Sequence, residues 1–130
     1  MVDNCKITFN NVQLPSDSFM PDAKSYRKGV ESMLKLSRLQ VIFITAGVCM
    51  GIYRSTIKYV TERKQFGTTI ASFQLIQLKV TEIMSNLQAI MLMCQRAAEM
   101  SSNGELTMGH IAMFKAWVTE RSRYIAKLGR

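Results

Sequence analysis

Polar and apolar residues alternate at the start of the chain. Cys5, Ile7 and Phe9 are interleaved with Lys6, Thr8 and Asn10. A period of two predicts a short strand with one buried face. Val12 and Leu14 extend it toward Pro15, and no second convincing strand follows. A strand without a neighbour leaves its backbone donors and acceptors unpaired. Residues 1–15 therefore read as the last strand of a β-domain whose remainder is not in this chain. Ser16-Asp17-Ser18, Pro21-Asp22 and Gly29 bring turn chemistry and mark residues 16–29 as a linker.

Beyond the linker the period lengthens and three helical runs are predicted. The first covers about 32–64 and holds Gly47 and Gly51, four apart, where another helix could approach closely; Gly67 is expected to end it. Its uncharged stretch, Leu39 to Tyr53, is shorter than the ~18 residues that argue for a membrane span, so a fully buried helix is expected. The second run covers about 71–102. Phe73, Ile76, Val80, Ile83, Leu87, Ile90, Cys94 and Ala97 recur in steps of three and four and form a packing seam. Leu75, Leu78, Met91 and Leu92 lie off that seam, so burial on a second side is expected. Asn103-Gly104 closes this run, and Thr107 is the expected N-cap of the third. Ile111, Phe114, Val118, Ile125 and Leu128 form the third apolar stripe. The fold expected is mainly α: an up-down bundle of three long helices over residues 30–130, preceded by the single short strand. Three such helices carry more apolar surface than they can cover among themselves, which implies a fourth helix or a neighbouring subunit.

Composition sharpens the functional question. The net charge is +8, which suits an anionic partner. The cations are spread along the chain and not gathered in one arm. Recognition-helix and aromatic-basic stacking signatures are absent, so a nucleic-acid binder is the weakest reading. Cys5, Cys49 and Cys94 form no C-x-x-C pair and read as free thiols in a reducing compartment. His110 has no neighbour at ligand spacing, so no metal site is expected and a structural role fits it.

One segment stands out chemically: Tyr59-Val60-Thr61-Glu62-Arg63-Lys64-Gln65-Phe66-Gly67, then Ile70 and Phe73-Gln74. A helix ends in a charged cluster, turns, and continues into an aromatic-glutamine pair. An arginine at a helix end can grip a phosphate with two hydrogen bonds and a permanent charge, and Gln74 could add a neutral donor. The same residues also suit a salt-bridged helix terminus, with Arg63 paired to Glu62 or a neighbour.

The pattern R-x-Q-F-G followed by I-x-x-F-Q resembles the signature of the acyl-CoA dehydrogenase and acyl-CoA oxidase family. Arg38, 25 residues before Arg63, and Gly47 add to the match. Met91-Leu92-Met93, Lys115-Ala116-Trp117 and Leu128-Gly129-Arg130 resemble most the short-chain oxidases of plant peroxisomes, then glutaryl-CoA dehydrogenases. The resemblance implies FAD as cofactor, an acyl-CoA substrate, a dimer or tetramer, and a peroxisomal or mitochondrial setting. In that family a glutamate removes the α-proton of the thioester and hydride passes from the β-carbon to the flavin, giving a trans-2-enoyl-CoA, as in fatty-acid β-oxidation. It further implies that Arg63 holds the FAD diphosphate of the adjacent subunit with Gln74 beside it. Gln65 and Phe66 would line the adenosine side, and Arg38 would lie near the acyl-CoA. The basic surplus then matches two polyanionic ligands.

The sequence also departs from the family pattern. Ser37 precedes Arg38 where some members carry the catalytic carboxylate, and a serine cannot serve as that base. Lys35 stands where some members have an aspartate. Glu62, Glu82, Glu99, Glu105 and Glu120 read as ordinary helix-surface carboxylates, and no catalytic residue is assigned. The chain alone is expected to be inactive. A non-catalytic helical module that assembles with a full-length relative is the alternative.

Overall fold

The computed structural model describes residues 4–21, 23 and 25–130. It falls into two units, Met1–Ser32 and Met33–Arg130. In the first unit, residues 4–9 have no regular structure. The expected strand around Cys5, Ile7 and Phe9 pairs with nothing among the described residues, and all three side chains are exposed. Its first three positions, Asp3 included, lie outside the described residues, as does Asp22 of the linker. The linker contributes one short 3-10 turn, Ser16–Ser18.

Helix α1 runs Tyr26–Glu62, starting inside the expected linker. The reason is Ser25, whose hydroxyl accepts a hydrogen bond from the Lys28 N–H at 3.3 Å, satisfying one of the orphan donors of a helix start. After α1 the chain makes a two-stranded ribbon, β1 (Lys64–Gln65) and β2 (Thr68–Thr69), with Lys64 opposite Thr69 and Gln65 opposite Thr68. Phe66 and Gly67 at its tip have φ of 53° and 78°, the signature of a two-residue type I′ hairpin turn. Gly67 thus turns a hairpin and does not cap α1, which ends five residues earlier. A 3-10 turn, Ile70–Ser72, leads into α2 (Gln74–Ser102).

The end of α2 follows the expectation for Asn103-Gly104. Glu105 N–H bonds to Met100 O at 2.9 Å and Gly104 N–H to Ser101 O at 3.2 Å. With Gly104 at φ 72° this is a Schellman motif. Thr107 then caps α3 (Met108–Gly129), as expected, and His110 completes a capping box: its N–H donates to Thr107 Oγ1 while its Nδ1 accepts from Thr107 N–H, both at 3.3 Å. The structural role expected of His110 is thereby specified.

The seams meet in one core from Ile83 onward, while Phe73 at the head of the α2 seam is exposed and Ile76 and Val80 are half-buried. Ile83, Leu87, Ile90, Cys94 and Ala97 of α2 and Ile111, Phe114, Val118 and Ile125 of α3 are buried with Ile42, Ala46 and Cys49 of α1. Helix α1 departs from expectation, because only one stripe of it is buried: Val41, Phe43, Ile44, Val48 and Met50 are exposed. By length and composition alone it holds a window apolar enough to cross a bilayer. Gly47 and Gly51 have no close neighbour among the described residues, since a Cβ on either would meet nothing within 4 Å. The close approach falls instead at Gly129, where a Cβ would sit 2.7 Å from Ile52 Cγ2. Off the α2 seam, Leu75, Leu78, Met91 and Leu92 stay exposed. The second buried side expected for this helix has no cover among the described residues.

Candidate functional site

The residues singled out in the sequence sit at two places in the bundle. Arg63 lies between the end of α1 and the start of β1. Its N–H bonds to Tyr59 O at 2.8 Å, and its carbonyl accepts from Ile70 N–H at 2.9 Å. The main chain at Arg63 is therefore held from both sides while its side chain is exposed. Gln65 follows on β1, opposite Thr68. Phe66 projects from the turn 92% exposed, and its ring meets Phe73 edge-on with centroids 6.2 Å apart. Gln74 is the first residue of α2. No side chain caps this helix, so its partial positive charge and free N–H groups are open to an outside acceptor.

The ion-pair alternative for Arg63 is not realised among the described residues. The pairs present there are Arg27–Glu31, Arg96–Glu99 and Arg121–Glu120. A free guanidinium, two amide side chains, a bare aromatic ring and an uncapped helix start thus occupy one end of the bundle. Beside them runs a groove of about 670 Å³ lined by Tyr59, Val60, Ile70, Lys79 and Arg130 among others. The donor set suits a phosphate-bearing ligand with a flat ring.

Arg38 is elsewhere. It is half-buried, and its Nη1 lies 3.6 Å from the Met108 sulfur at the start of α3. Twenty-four helical steps separate it from Glu62 at the end of α1, about 36 Å at 1.5 Å per residue, and Arg63 follows. The two arginines of one chain cannot share one small anion. Ser37 donates its hydroxyl hydrogen to Leu34 O.

None of the carboxylates among the described residues is buried. Glu82 accepts a 2.6 Å hydrogen bond from the Tyr124 hydroxyl, which raises the tyrosine pKa, helped by desolvation and the carboxylate charge. Glu99 and Glu120 serve ion pairs. No carboxyl group among the described residues has the apolar enclosure that would tune it as a base. Sequence reading missed two contacts here. The hairpin brings Phe66 to Phe73, and its signal was Gly67 flanked by β-formers. The Tyr124–Glu82 bond joins residues 42 apart and left no local signal.

Comparison with known proteins agrees with this architecture. Residues 28–129 match the family described as acyl-CoA dehydrogenase, C-terminal domain. The short/branched chain specific acyl-CoA dehydrogenase, mitochondrial, of Bos taurus is 29% identical over 116 residues, covering 89% of this chain and 27% of that protein. The Rattus norvegicus protein of the same name gives the same figures. The caffeyl-CoA reductase-Etf complex subunit CarC of Acetobacterium woodii is 29% identical over 114 residues, 88% of this chain and 30% of that protein. The three helices are those of an acyl-CoA dehydrogenase C-terminal domain. The chain belongs to the acyl-CoA dehydrogenase family. It spans less than a third of the length of these relatives.

Proposed function

We propose that this chain is the flavin-anchoring helical part of an FAD-dependent acyl-CoA dehydrogenase or oxidase, acting in α,β-dehydrogenation of an acyl-CoA. Arg63 neutralises the FAD diphosphate held by a neighbouring subunit, and Gln74 donates to the same region. Gln65 and Phe66 flank the adenosine. Arg38, far along α1, serves the acyl-CoA site. FAD, when bound, supplies the hydride acceptor. A mitochondrial setting fits the bovine and rat relatives by name, and a peroxisomal one has no such support.

The observation that carries the reading is Arg63 itself: a side chain exposed to solvent, a main chain pinned at N–H and C=O, and no carboxylate partner among the described residues. An unpaired cation on an anchored main chain is what a diphosphate clamp requires.

By itself the chain does not catalyse, because none of its described carboxylates is placed as a base and Ser37 precedes Arg38. The purified chain, supplied with FAD, a series of acyl-CoA thioesters and an electron-accepting dye, is expected to leave the dye oxidised. Turnover above buffer would overturn that part of the reading.

A second reading, a non-catalytic module that assembles with a full-length relative, is favoured by the bare apolar side chains Leu75, Leu78 and Leu92 of α2. It expects co-elution with that relative on size exclusion, and separate peaks would remove it.

A further inference from the structure

Between Met33 and Thr61, helix α1 carries the cations Lys35, Arg38, Arg54 and Lys58 and no acid. The cations bracket the uncharged stretch 39–53. One side of that stretch is in the core, through Ile42, Ala46 and Cys49. The opposite side faces solvent and is mostly apolar. Leu36, Gln40, Phe43, Gly47 and Gly51 recur on it in steps of three and four. Ile44 and Val48 stand beside them, 65% and 58% exposed. Arg54 and Lys58 continue the same row, both exposed and neither in an ion pair among the described residues.

We infer that this outward face of α1 beds on an anionic lipid surface and lies along it without crossing it. The inference goes beyond the flavin reading and does not depend on it.

Three observations favour a lipid surface. The first is charge. The apolar ridge has cations at both ends, no acid between them, and a chain of net charge +8 behind it. Lysines and arginines near a bilayer are drawn to anionic headgroups. The long stems of Arg54 and Lys58 can lie on the acyl boundary while their heads reach the phosphates. The second is shape. Ile44 and Val48 protrude from a convex helix, and a fluid surface moulds around a ridge where a folded partner would need a matching cleft. The third is breadth. The uncharged surface continues from Phe43 and Met50 across a groove of about 710 Å³ to Gln88, Met91 and Leu92 of α2. A broad exposed apolar patch is a mark of protein or membrane contact, and the flanking cations select the membrane. Crossing is opposed on two grounds. The core stripe ties α1 to the bundle, and Arg38 and Arg54 hold the uncharged run below the ~18 residues of a span.

The test is flotation of the purified chain with lipid vesicles. The wild type is expected to float with vesicles of phosphatidylcholine and phosphatidylserine, about three to one, and to stay behind with phosphatidylcholine alone. Added salt should release it. Ile44→Gln/Val48→Gln should keep wild-type helicity, since neither side chain is buried, and weaken binding at least tenfold. Arg54→Gln/Lys58→Gln should weaken it at least threefold. Met113→Gln, on an exposed position of α3, should bind as the wild type does. Peroxide footprinting of the wild type needs no variant: the mixed vesicles should slow oxidation of Met50 and leave that of Met113 unchanged. A wild type that floats with neither vesicle, or equally with both, overturns the proposal. So does undiminished binding of either double variant, or oxidation of Met50 that the mixed vesicles do not slow.

Discussion

Phe66 is a bulky residue in a backbone region that L-residues avoid. Its φ of 53° costs roughly 1–2 kcal/mol for a side chain of this kind, and asparagine bears such a conformation at lower cost. The ring returns part of that through its edge contact with Phe73 at 6.2 Å. Exposed aromatic pairs give roughly 0.5 kcal/mol, the low end of their range. Phe66→Asn should therefore make the hairpin more stable by about 0.5–1 kcal/mol, a two- to fivefold slowing of local opening. The reporter is the Ile70 amide, whose N–H donates to Arg63 O across the base of the ribbon. Its hydrogen exchange should slow in Phe66→Asn. In Phe73→Ala, which removes the same ring contact without relieving the turn, it should quicken. A residue kept at a cost to its own hairpin is one whose ring serves something outside the chain. The response of the hairpin amides to FAD should accordingly weaken in Phe66→Asn despite the firmer turn. Faster Ile70 exchange in Phe66→Asn, with the FAD response intact, would refute the reasoning.

Other perturbations test the scaffold. Gly129→Ala should destabilise the bundle by about 1–2 kcal/mol in urea unfolding through overpacking, because its Cβ would press on Ile52 Cγ2 at 2.7 Å and Thr56 Oγ1 at 3.1 Å; an unchanged urea midpoint would contradict the close approach. Thr107→Ala should cost about 1 kcal/mol by removing the α3 cap, read as a lower melting temperature, and an unchanged one would discount the capping box. Burial pushes the Cys49 and Cys94 thiols up, with the Cys94 charge adding to the effect at Cys49. Groups with raised folded values stabilise fully below the unfolded thiol value, roughly 8.5, and that contribution is lost as pH rises through the folded values. The wild-type urea midpoint should fall more steeply above that value than the midpoint of a Cys49→Ala/Cys94→Ala double variant, and equal slopes would contradict the assignment.

Most of the scaffold was legible because it is written in local or periodic signals. The α2 seam from Ile83 to Ala97 and the α3 stripe from Ile111 to Ile125 became the core they predict, since three-four spacing fixes one helix face whatever it packs on. Asn103-Gly104 and Thr107 worked because caps act within a turn of themselves. What failed to show depends on distance in the chain. Gly129 meets Ile52, and nothing near either residue announces the other. Gly47 and Gly51 carried the same local signal as a close approach and have none among the described residues. Gly67 illustrates a different ambiguity: a glycine after a helix can close it or turn a hairpin, and here Thr68 and Thr69 pair back onto Gln65 and Lys64. The Arg63 motif could be located from sequence, yet its freedom from Glu62 could not, because ion pairing is settled by side-chain geometry.

The central claim is that Arg63 is a clamp for the diphosphate of a flavin dinucleotide. Its most direct measurement is a titration of FAD into the isotope-labelled chain, followed by the Arg63 Nε–H and the Gln65, Phe66 and Gln74 amide resonances, in parallel with Arg63→Gln. The account predicts saturating shifts confined to the hairpin end, weakened at least tenfold by Arg63→Gln and by added salt, with riboflavin, which lacks the phosphates, leaving Arg63 unmoved. Equal shifts in Arg63→Gln, or shifts that gather around Arg38 with the hairpin silent, would contradict it.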